Sequence, residues 1–115
     1  LGLLLFGKLF VKAYRYEPAF FLEEAREVRA AVDMPLVIVG GIKTRATMDA
    51  ARAAGFEFIA MARALIRDPQ LVAKMAAGAV EDSDCVPCNR CIAEMDRGGV
   101  RCALRSTQEL EPGLS

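Results

Sequence analysis

The chain has 115 residues, of which 54% are hydrophobic and 26% charged, and its fifteen basic residues balance fifteen acidic ones. This composition excludes a disordered tail and requires a buried core, and the balanced charge leaves no net field to draw the chain to nucleic acid, an acidic substrate or a membrane surface. Histidine is absent, which removes the commonest general base and the commonest metal ligand, so any metal has to be held by cysteine.

The chain opens without Met on an apolar run, Leu1 to Phe6, and is expected to be a piece of something longer. Even extended to Val11, the run falls short of the roughly 20 residues that cross a membrane. No basic segment precedes it as in a secretory signal. The expectation is a buried or interface segment with Lys8 and Lys12 snorkelling, in a cytoplasmic protein.

Glu17-Pro18 sets up a helix running to about Val32, with Pro18 at the first helical position. Phe21, Ala25, Val28 and Val32 recur on one face, with Glu23 and Glu24 early and Arg29 late. Met34-Pro35 breaks this pattern. Leu36-Val37-Ile38-Val39 then reads, for want of alternation, as a strand buried on both faces, and it ends in Gly40-Gly41. Thr44 can cap a second helix with a stripe of Met48, Ala51 and Ala54, closed by Gly55. Phe56 to Met61, apolar except for Glu57, is a second buried strand. Beyond Ala62-Arg63 a turn-like segment leads to Asp68-Pro69, a capping residue followed by Pro. Leu71, Val72, Met75 and Ala76 then give a last helix before Gly78.

Strands alternating with helices make an α/β fold with parallel pairing and right-handed crossovers, in a doubly wound sheet or a (β/α) barrel. Two strands close neither, so the remaining strands must come from a missing N-terminal part or from a partner; a homo-oligomer stays open. The organisation expected is an α/β part over residues 1–78, a cysteine-bearing segment over 79–104 and a flexible tail over 105–115.

Ligands in such folds sit at the C-terminal ends of the strands. Gly40-Gly41 lets backbone N–H groups approach an anion, and Thr44 begins a helix close by. Arg63, just past the second strand, offers a guanidinium for phosphate oxygens. Together they describe a phosphate clamp, with Lys43 either assisting or solvated. Taken singly, a Gly-Gly also suits a plain tight turn, and a strand-end Arg a structural ion pair.

All four cysteines fall within eighteen residues, Cys85, Cys88, Cys91 and Cys102, spaced C-x2-C-x2-C-x10-C. Thiolates two residues apart can converge on one metal, and a fourth arriving through Gly98-Gly99 completes a four-sulfur shell. The close-set triplet favours a four-iron-four-sulfur (4Fe-4S) cluster over structural zinc, which more often uses two separated C-x2-C pairs. Two disulfides or four unligated thiols are the remaining accounts, and the disulfides suit a secreted chain better than this one.

Three stretches carry a family resemblance: Pro35 to Ile42, Phe56 to Pro69, and the Cys85 to Cys91 run with Asn89 after its second Cys. They resemble the C-terminal part of the old yellow enzyme family, in the branch of NADH:flavin oxidoreductases, 2,4-dienoyl-CoA reductase and trimethylamine dehydrogenase. The resemblance covers about Glu17 to Leu104. It implies the last two strands of a TIM (β/α)8 barrel and their helices, followed by a Cys-rich loop. It also implies an FMN whose phosphate rests on Gly40, Gly41, Ala62 and Arg63, the family more often having Gly where Ala62 stands. The cysteines would be the cluster ligands, with an excursion to Cys102 a little shorter than in cluster-bearing members. NAD(P)H would be the reductant and an activated alkene or similar small molecule the substrate. The family's catalytic residues belong to earlier strands, so none is assigned here. The alternatives are a zinc-binding interaction module without redox chemistry and a non-catalytic truncated barrel.

Overall fold

The computed structural model describes residues 15–94 and 99–105. The opening apolar run, Gly98 and the tail beyond Arg105 lie outside the described residues. Those described fall into two compact units, Arg15–Cys85 and the residues from Val86 onward.

In the first unit the chain order is α1 (Leu22–Ala31), β1 (Val37–Val39), α2 (Arg45–Ala53), β2 (Phe58–Ala60), α3 (Arg63–Arg67) and α4 (Leu71–Ala76). The alternation is the one the sequence predicts, with the turn-like stretch after Ala62 closing into the short helix α3. β1 and β2 pair in parallel, Val37 opposite Phe58, Ile38 opposite Ile59 and Val39 opposite Ala60.

α1 starts four residues later than Pro18 suggests. Ala19 takes a left-handed φ of 49° and donates its N–H to Gly41 O at 3.1 Å, so residues 18–21 form a turn fastened to the end of β1 instead of a first helical turn. The buried face shifts with it. Leu22 is buried, whereas Phe21 and Val28, both expected to pack, are each 53% exposed. Arg29 closes the helix by donating to Val32 O at 2.6 Å and Met34 O at 2.8 Å, and it meets Glu57 at 3.4 Å. Glu57 also accepts the Leu36 N–H at 2.9 Å, which accounts for the lone charge in an apolar strand sequence.

Thr44 caps α2 as expected. Its Oγ1 accepts the Thr47 N–H at 3.1 Å, and Thr47 Oγ1 accepts the Thr44 N–H at 3.2 Å, a reciprocal capping box. Gly55 follows at φ 91°, the left-handed stop that suits glycine after a helix. Asp68 serves α4 from two residues further out than a cap, accepting the Gln70 N–H at 3.0 Å and binding Lys74 at 2.6 Å.

The core has two parts. Leu22, Ile38, Ile42, Ala51 and Phe56 form one, and Ala64, Leu71 and Met75 the other, with Met48 and Met61 packed against both. Among the described residues, only one face of the sheet is covered. Ile38 is 4% exposed, but Val37, Val39 and Phe58 stand 54–60% exposed on the other face. The expectation of strands buried on both faces is therefore corrected among the described residues: helices flank one side of a two-stranded sheet and leave its alternate side chains bare.

The second unit holds α5 (Arg90–Glu94), a helix within the segment read as loop.

Candidate functional site at the strand ends

Because Val39 pairs with Ala60, Gly40-Gly41 and Met61-Ala62 leave the sheet at the same end. Arg63 opens α3, with Ala62 at its N-cap position. The two β-ends singled out in the sequence are thus brought together.

Gly40 and Gly41 have φ of 126° and 66°, values that L side chains avoid. A Cβ on Gly40 would stand 2.6 Å from Phe21 Cδ2, and one on Gly41 2.5 Å from Glu17 O. Both glycines therefore admit the 17–21 turn. That turn packs against one flank of the pair.

Tyr16, which no sequence pattern marked, belongs to this end. Its hydroxyl donates to Gly41 O at 2.8 Å, across 25 residues of chain. Burial pushes the phenol above its ordinary pKa, the positive charge of Arg63 pulls it back, and Cys85 and Asp82 push it up again. Lys43 is half-buried, not solvated: its Nζ lies 5.5 Å from the Tyr16 ring centroid and donates to Cys85 O at 2.9 Å.

The stretch from Glu81 to Cys85 is strapped across this end. Thr44 and Asp82 form an antiparallel bridge, Arg45 N–H donates to Glu81 O, and Ser83 N–H donates to Lys43 O, each at 2.9 Å. Ser83 is buried and its Oγ accepts the Cys85 N–H at 3.2 Å. Arg67 grips Asp84 through Nε and Nη2 at 2.9 and 2.6 Å, which holds the Asp84 carboxyl below the usual carboxylate range.

None of the four cysteines is paired in a disulfide. Cys85 is half-buried in the first unit. Of the three in the second, Cys88 is exposed, Cys91 buried in the first turn of α5, and Cys102 half-buried. Asn89, at φ 57°, makes the tight turn between Cys88 and α5, and its carbonyl accepts the Ile92 N–H at 3.1 Å. Glu94 was also missed. It is buried at the end of α5 and accepts Arg101 Nε at 2.8 Å, closing the excursion that leads to Cys102. Among the described residues, no three His, Cys, Asp or Glu side chains are grouped to hold a metal ion. None of the described helices is long and apolar enough to cross a membrane.

Over 104 residues, 90% of its length, the chain is 45% identical to the 4,4'-dithiodibutanoate disulfide reductase of Rhodococcus erythropolis. It resembles part of a reductase. The chain spans 26% of that relative's length, so the likeness is to a fragment of an oxidoreductase. No protein-family profile matches the chain, and no solved structure matches it significantly.

Proposed function

We propose that the chain is part of a longer FMN-dependent oxidoreductase of the old yellow enzyme type, contributing the anchor for the flavin phosphate. The observation that supports this best is the parallel register, which sends Gly40-Gly41 and Ala62-Arg63 out of the sheet at one end. The residues there suit a phosphate monoester: side-chain-free backbone at Gly40 and Gly41, the Arg63 guanidinium and the Lys43 ammonium. Their work is to bind and orient. FMN, when bound, supplies the hydride chemistry between NAD(P)H and an acceptor.

The bare face of Val37, Val39 and Phe58 is the side that further strands of a barrel would cover. For the acceptor, likeness to a disulfide reductase favours a small organic disulfide, which takes two electrons and two protons to give two thiols. A four-iron-four-sulfur cluster on Cys85, Cys88, Cys91 and Cys102 is part of the same reading. The all-thiol donor set and its spacing support it.

Visible absorption of the full-length protein tests the flavin, and Arg63→Ala tests its anchor. The variant is expected to lower FMN occupancy severalfold; unchanged flavin content overturns the role given to Arg63. Iron and acid-labile sulfide assayed anaerobically test the cluster, and zinc in their place overturns it.

A further inference from the structure

The carbonyl of Gly41 is held twice, by the Tyr16 hydroxyl at 2.8 Å and by the Ala19 N–H at 3.1 Å. Across a trans peptide the next N–H points opposite to the carbonyl. The Ile42 N–H is therefore turned away from Tyr16 and Ala19. The same Tyr16 ring lies 5.5 Å from Lys43 Nζ, within cation–π range. Lys43 is also tied to Cys85 O at 2.9 Å, so its long side chain is held at two points. The charge of Arg63 reaches the Tyr16 phenol as well. One phenol thus bonds a backbone carbonyl of the glycine loop and lies within cation–π range of the Lys43 ammonium.

We propose that Tyr16 is a positioning residue for a phosphate monoester at the strand ends, fixing the Gly41–Ile42 peptide and seating the Lys43 ammonium. The proposal rests on the reading of these strand ends as the flavin phosphate anchor. Tyr16 acts through the loop and Lys43 without touching the phosphate. A hydroxyl that merely fastened the 16–19 segment to β1 would affect every ligand of the unit alike. A positioning hydroxyl affects only ligands that carry the phosphate.

The test compares FMN with riboflavin, which shares the ring system but lacks the phosphate, on the full-length protein. Wild type is expected to bind FMN more tightly than riboflavin. Tyr16→Phe, which keeps the ring under Lys43, is expected to weaken FMN about tenfold while leaving riboflavin unchanged. Lys43→Met should narrow the FMN-to-riboflavin ratio in the same way. Equal weakening of both ligands by Tyr16→Phe, or no weakening of either, overturns the positioning role while the phosphate anchor stands. A wild type that binds both ligands equally overturns the anchor reading and this inference with it.

Discussion

Around the strand ends, loops far apart in sequence are bonded to one another. Tyr16 and Ala19 hold Gly41, the Ser83–Lys43 and Arg45–Glu81 bonds flank the Thr44–Asp82 bridge, and Arg67 clasps Asp84. From Val86 onward the described residues offer one five-residue helix and the Glu94–Arg101 pair, while Val86, Ile92, Val100 and Leu104 stand 45–55% exposed. The first region takes its geometry from packing and backbone bonds. The second buries little beyond Cys91 and Glu94, the condition in which a bound metal contributes most to order.

Glycine substitutions should divide the two regions most sharply. Gly41→Ala puts a Cβ against the Glu17 carbonyl and the Ala19 nitrogen at a positive φ, and both neighbours are backbone. It should cost about 3 kcal/mol in thermal or denaturant unfolding of the full-length protein. Gly99→Ala has a φ of 141° but open space around it, so roughly 1 kcal/mol is expected. Equal costs would erase the contrast.

Cys88→Ser should strip most of the iron while leaving the Arg15–Cys85 unit folded, read as metal content alongside far-UV circular dichroism. Retained iron would remove Cys88 from the ligand set. Glu94→Gln weakens the charge-assisted clasp on Arg101 by about 1 kcal/mol and should speed amide exchange around Cys102 without altering flavin content.

The smallest effect is on pH dependence. The Leu36 N–H, Glu57's own N–H and Arg29 hold the Glu57 carboxyl below its ordinary value of 4.5. Its stabilising contribution is therefore present above pH 4.5 and lost as pH falls through the lower folded value. Glu57→Gln should cost a little stability at neutral pH, and the difference from wild type should vanish in acid. A difference that persists in acid would assign the effect to lost geometry and not to charge.

Much of the order of elements was legible because it rests on local chemistry. Thr44 caps, Gly55 stops and Pro35 breaks through interactions within a few residues of themselves, so their signals survive in one dimension. The helix start at Pro18 was misplaced because a long-range bond from Ala19 to Gly41 outweighs the local preference. The same distance hid Tyr16, whose partner lies 25 residues away. Lys43 looked solvated because neither Tyr16 nor Cys85 is near it in the chain.

By itself the sequence determined the alternation of helix and strand, the glycine pair, Arg63 past the second strand, and the spacing of four thiols, all set by periodicity and local backbone preference. Tertiary structure alone decided the register that sets Val39 opposite Ala60 and that the 17–21 turn is what the glycines admit. It also decided that Glu81 to Cys85 crosses the loop holding Lys43, since each of these depends on register and on hydrogen bonds between segments that only folding makes neighbours.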